Sequence, residues 1–236
     1  MMKNISIIRN SFFIISMLFF LNGCSVDQDR IIDKSTKSIE KNPNNVKAYI
    51  ERGDAFESKG FGGETKNKKD YYDKAIADYT MAIEIDHQNA KAYDKRGWVH
   101  YINDNYDKAI ADYTMAVEID PDSGKAKRGL AMAFEERGLA YAKKWDLDKA
   151  IVDCTKAIEI YPFDSAFVCR ASAYFWKEDY DRALADCNVA ITKCRYPDCK
   201  SKYYSFRAKI WEKKGDHERA AKDREKAFNL APSLGR

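Results

Sequence analysis

The sequence predicts an all-α chain built as a row of repeated helical hairpins, an α-solenoid. Three observations predict it. Residues Tyr72–Asp86 (YDKAIADYTMAIEID) return thirty-four positions later as Tyr106–Asp120 (YDKAIADYTMAVEID) with one change, Ile83 to Val117. Weaker copies follow at Leu147–Tyr161, Tyr180–Ile191 and His217–Ala231. Each copy is also preceded by a second helix-length segment with a pattern of its own. A period of this length marks stacked repeats, because one short amphipathic helix cannot bury its apolar stripe without a neighbouring copy.

The repeated segment carries Ala75, Ile76, Tyr79, Ala82 and Ile83 at helical spacing. Its small residues recur as Ala75, Ala109, Ala150, Ala183 and Ala220, and seven positions on as Ala82, Ala116, Ala157, Ala190 and Ala227. Both series lie on one helix face, so they mark a seam where a partner backbone comes close. The preceding segment opens on an aromatic (Tyr49, Tyr93, Phe134, Phe167, Tyr204). Four positions later stands a small residue (Gly53, Gly97, Gly138, Ala171, Ala208), and then a further ring (Phe56, His100, Tyr141, Tyr174, Trp211). On a helix these three fall within roughly 60° of one another and make one core stripe.

This succession resembles the tetratricopeptide repeat, with Pro121, Pro162 and Pro232 in the closing place. The resemblance implies a right-handed superhelix of about five helix-turn-helix repeats, over 46–89, 90–123, 131–163, 164–195 and 201–232. Residues 31–45 repeat the second-helix pattern in polar form and are expected to be an N-terminal cap helix. A ten-residue insertion, Phe61–Asp70, is expected as a basic loop, and Gly124–Leu130 as an added length of helix.

The first thirty residues follow a different logic. Lys3 and Arg9 precede an apolar run, Ser11–Leu21, that is too short to cross a bilayer and has the shape of a signal peptide over 1–23. Leu21-Asn22-Gly23-Cys24 resembles the bacterial lipoprotein box, which implies cleavage before Cys24, lipidation of its thiol, and a tether through residue 30. Ser25 after the cysteine resembles outer-membrane sorting, on the periplasmic side. Without Lys3 and Arg9 the balance of 41 basic and 37 acidic residues becomes +2, which makes no case for nucleic acid.

Every repeat holds an arginine before its small residue (Arg52, Arg96, Arg137, Arg170, Arg207) and an aspartate in its second helix (Asp78, Asp112, Asp153, Asp186, Asp223). An arginine at a helix seam needs a charged partner, so these are expected to pair as a ladder. The histidines His87, His100 and His217 occupy structural places, and no phosphate loop, serine elbow or metal-spaced set is present, so neither catalysis nor a cofactor or metal is expected. Cys154 and Cys187 stand in core places and are expected as buried thiols. A disulfide is expected between Cys194 and Cys199, which flank a turn.

Residues beyond the core stripe of the first helices point toward a concave face. In the middle repeats they include Trp98, Tyr101, Leu139 and Phe175, with Trp176 adjacent, an aromatic groove between ends that hold Asp54 and Glu57 or Lys209 and Glu212. The family's carboxylate clamp is not reproduced, since its places hold Ile50, Asp54, Lys95, Met132 and Glu136. The expected function is a membrane-anchored scaffold of the bacterial cell envelope that binds a partner peptide or helix. A protein that self-assembles through its last helix, or a non-catalytic subunit of an envelope enzyme complex, are the alternatives.

Overall fold

A computed structural model of the chain describes residues 27–62 and 67–230. The expected signal peptide, Cys24 and Pro232 lie outside the described residues. Eleven helices and no strand make up the described residues: α1 (27–41), α2 (Val46–Gly62), α3 (Lys68–Ile85), α4 (Ala90–Ile102), α5 (Tyr106–Ile119), α6 (Gly124–Lys143), α7 (Leu147–Ile160), α8 (Asp164–Trp176), α9 (Tyr180–Lys193), α10 (Pro197–Lys213) and α11 (His217–Leu230). Residues 27–30, expected in a tether, begin α1 instead. Of the insertion expected as a loop at 61–70, residues 61–62 end α2 and residues 68–70 begin α3, and α6 is lengthened to 20 residues by Gly124–Leu130.

Local chemistry sets the helix ends. Asn89, Ser123, Asp146 and Asp179 cap α4, α6, α7 and α9 by accepting a backbone N–H of the first turn. Pro197 opens α10, where its missing N–H costs nothing. The first helix of a hairpin ends on a left-handed residue, Trp145 (φ 62°), Glu178 (φ 62°) or Gly215 (φ 81°). The next N–H then returns to a carbonyl five residues back, from Asp146 to Tyr141, Asp179 to Tyr174 and Asp216 to Trp211. Glycine adopts this backbone freely, whereas a bulky tryptophan at Trp145 is held there against its preference.

Packing groups the described residues into two compact units, one within 27–104 together with 115–121, the other of 105–114 and 122–230. In the first, α2 packs on α3 and α3 on α4 around Tyr49, Ile50, Tyr72, Tyr79, Ile83 and Val99. A Cβ at Gly53 would stand 2.7 Å from the Tyr79 ring, so the small residue there lets α3 approach. In the second unit the hairpins α6–α7, α8–α9 and α10–α11 pack successively, with Leu184, Cys187 and Ile210 in one core cluster. The seam alanines Ala75, Ala82, Ala109, Ala116, Ala150, Ala157, Ala183, Ala190 and Ala220 are wholly buried.

The charged ladder runs through this packing. Arg52 donates from Nε and Nη2 to Asp78 at 2.9 and 2.7 Å, and from Nη1 to Thr36 of α1 at 3.1 Å. Arg170 meets Asp186 twice at 2.8 Å and Thr155 of α7 at 3.2 Å. Arg207 meets Asp223 twice at 2.7 Å and Asn188 of α9 at 2.5 Å. Arg137 holds Asp153 at 2.7 and 2.9 Å and Asp107 of α5 at 2.5 Å. Arg96 reaches Thr80 at 3.0 Å, and Asp112 is buried. The forks of Arg52, Arg137, Arg170 and Arg207 therefore each grip their own hairpin with two donors and the preceding helix with a third.

The cysteines pair differently from the expectation. A disulfide joins Cys154 of α7 to Cys169 of α8, whose Cα atoms are 6.0 Å apart. Cys154 is therefore not a free core thiol, while Cys187 is free and burial pushes its thiol up to about 12. Cys194 and Cys199 are both free. The reason is local: Cys194 caps α9 and donates inward to the Tyr196 carbonyl at 3.2 Å, while Pro197 winds Cys199 into the first turn of α10.

Candidate functional site

The predicted groove residues divide between the two units, and each unit offers its own first-helix surface. In the first unit Trp98 and Tyr101 of α4 stack with ring centroids 5.6 Å apart, and Trp98 packs partly buried on the core. In the second unit Leu139 is half-buried on α6. Phe175 of α8 packs against Phe206, Tyr180 and Trp176 at 5.8, 5.9 and 5.2 Å, so it supports the surface more than it forms it. Trp176 is the exposed member, at 54%.

Trp145 completes this surface and was not among the residues expected to line it. It is 66% exposed and meets Trp176 edge-on at 5.2 Å. The run Trp145, Trp176, Phe175 and Phe206 is thus a continuous chain of ring contacts from solvent into the core. One signal in the sequence could have found it. The hairpin turn of the other repeats holds Asp104, Glu178 or Gly215 where this one holds a tryptophan. A large apolar side chain at a left-handed turn position is poor for folding and so points elsewhere.

Polar groups accompany the rings. Near Trp98, the Tyr79 hydroxyl lies 2.8 Å from Asp54 and 2.9 Å from Glu57, and Lys95 lies 2.9 and 3.7 Å from the same two carboxylates. Burial pushes the Tyr79 phenol well above its usual value, helped by Glu57 and Asp54. Burial works against the Lys95 ammonium, but Asp54 and Glu57 outweigh it and raise its pKa. Two of the charged groove ends expected from sequence are therefore held in a network with a core tyrosine. In the second unit Ser165 donates to Glu135 at 3.0 Å and Tyr203 donates to Asp164 at 3.1 Å. Burial pushes Glu135 up to about 7, against the Ser165 bond and with help from Glu136 and Asp164.

Among the described residues no set of three His, Cys, Asp or Glu side chains is placed to hold a metal, and no helix is long and apolar enough to cross a membrane. What these surfaces offer is contact: flat rings for apolar groups and desolvated carboxylates for cations.

Comparison with known proteins agrees with this architecture. Family models described as tetratricopeptide repeat match residues 90–123 and 133–164. Among solved structures, the chain is similar to YrrB, titled a TPR protein with an unusual peptide-binding site, at 20% identity over 84% of this chain and 93% of that one, TM-score 0.56. It is similar to MamA at 21% identity over 72% and 94% of the two chains, TM-score 0.54. It is also similar to BtubC (BKLC) from P. vanneervenii, at 14% identity over 91% and 92%, TM-score 0.61. No curated protein matches the sequence.

Proposed function

Because the chain is a tetratricopeptide-repeat protein, we propose that it is a protein–protein interaction scaffold, held at a bacterial membrane through Cys24. The observation that carries this reading is the exposed Trp145–Trp176 pair, backed by Phe175 and Phe206. Such rigid rings, fixed from behind and open in front, have the character of interface anchors. A partner segment would lay apolar side chains across them, with Leu139 on the neighbouring first helix, while Trp98 and Tyr101 offer a second aromatic contact in the first unit. The YrrB fold, titled as holding a peptide-binding site, supports recognition of a peptide or helix by this architecture.

The envelope location rests on the leader and Cys24 of the sequence. The Cys154–Cys169 disulfide supports it independently, since such bonds persist in oxidising compartments and are rare in the cytosol. The outer membrane, periplasmic side, is the placement favoured by Ser25. A second reading, self-association through the last helix, draws on Phe228 of α11, which is 57% exposed.

Crosslinking in cells followed by pull-down tests the first reading, comparing the natural chain with Trp145→Ala plus Trp176→Ala. Loss of a specific partner from the double variant, with its helix content unchanged, is the expected result. An unchanged partner set overturns the aromatic site. Light scattering at rising protein concentration tests the second reading, and a constant monomer mass removes it.

A further inference from the structure

Between α1 and α2 lies a cavity of about 460 Å³, within the ~300–1,000 Å³ range of ligand clefts. Gln28, Ile31, Lys34 and Ser35 line it from α1, and Glu51, Asp54, Ala55 and Ser58 from α2.

Two independent features mark it as a binding place. The first is its incomplete charge balance. Asp54 and Glu57 share a single phenolic proton, from Tyr79, and a single ammonium, from Lys95, so one negative charge of the four-group network is unmatched. Both contacts to Asp54 fall on Oδ1. Glu51 adds a second carboxylate to the wall, met only at 3.8 Å by the exposed Lys47. The cavity's own cation, Lys34, is exposed, and a single ammonium cannot balance both carboxylates of the wall. The second feature is Ser35. It is 2% exposed, and its hydroxyl has no hydrogen-bond partner. A buried hydroxyl left unbonded is costly, so a donor or acceptor arriving in this cavity would gain by meeting it.

We propose that this cavity is a subsite for a basic side chain of the partner, an arginine above all. The inference rests on the scaffold reading and names the partner's chemistry at one point. Glu51 and the second oxygen of Asp54 would receive the guanidinium donors, with Ser35 as a further acceptor. Ile31 and Ala55 would cover the aliphatic stem. The chemistry excludes two other occupants. A metal ion would find only two carboxylates here, and no three-ligand group exists among the described residues. An anion would face both carboxylates with Lys34 alone to hold it.

The test is a titration of the purified full chain with N-acetyl-arginine amide, read from the backbone amide NMR signals of Ser35 and Ala55. The neutral isostere N-acetyl-citrulline amide is the control. Saturable shifts with the arginine probe are expected, with citrulline roughly tenfold weaker for loss of a charge-assisted pair. Glu51→Gln, which keeps the side chain's size at a half-buried position, should weaken the arginine probe by a similar factor. Equal shifts from citrulline, no saturation, or no effect of Glu51→Gln would each overturn the subsite. Trp145→Ala plus Trp176→Ala should leave the arginine titration unchanged. Partner capture without arginine binding thus removes the subsite alone, and arginine binding without any partner removes the scaffold reading alone.

Discussion

Replacing Asp186 with alanine should destabilise the second unit by about 3 kcal/mol, and the ladder geometry gives the figure. Arg170 spends two donors on Asp186, each at 2.8 Å, and Asp186 is 5% exposed. Two hydrogen bonds between charged groups contribute roughly 1.5–3 kcal/mol each. Removing one partner of a buried pair costs about 3–5 kcal/mol, because the other charge is left without compensation. The Arg170 side chain is 20% exposed and keeps its bond to Thr155, so water and the hydroxyl recover part of the loss and the lower end applies. The double variant Arg170→Leu plus Asp186→Leu removes both charges together and should cost only about 1 kcal/mol or less. Urea unfolding followed by far-UV circular dichroism, on Arg170→Leu, Asp186→Leu and the double, measures the coupling, expected to exceed about 2 kcal/mol because the double costs about 1 and the loss of Asp186 alone about 3. A loss below about 1 kcal/mol for Asp186→Ala, or a double variant as unstable as the sum of its singles, would refute the ladder as a core feature.

Two further outcomes follow from the second unit. Intact mass should rise by two hydrogens on reduction, and Cys154→Ala plus Cys169→Ala should lower stability by roughly 3 kcal/mol, the loop-entropy value for a separation of 15 residues; an unchanged mass or urea midpoint would disprove the bond. Stability should also fall as pH rises from 5 to 8. Glu135 is raised from 4.5 to about 7 by burial, so the native state favours its neutral form; that contribution is complete below pH 4.5 and is lost as pH rises through 7. The raised pKa corresponds to roughly 3 kcal/mol, and Glu135→Gln should flatten the profile, which unfolding midpoints across that pH range would show.

Much of this architecture was legible in the chain because a repeat repeats its constraints. Ala75 and Ala82 recur wherever a second helix must lie close to its neighbour, and Arg52 with Asp78 recurs wherever the seam needs an ion pair. Their function is local to one hairpin, so period and spacing reveal them. The groove was only partly legible. Helical angle places Phe175 and Trp176 on the first-helix face alike, but neighbouring rings decide their roles: Phe206 and Tyr180 close over one and leave the other open. Trp145 escaped because it sits in a turn, where helical periodicity carries no information.

The sequence by itself determined the helices, their pairing into hairpins, the buried alanine seam and the residue types of the charged ladder, because all of these follow from spacing along one or two adjacent helices. Only the tertiary structure decided which cysteines meet. Cys194 and Cys199 are five residues apart yet unbonded, while Cys154 and Cys169 join two helices that belong to different expected repeats. It also decided that Asp54 and Glu57 share one phenol, and that a cavity opens beside them. The physical reason is the same in each case. A side chain's partner across a packed seam depends on the angle and depth at which two helices meet, and a single helix's period does not encode either.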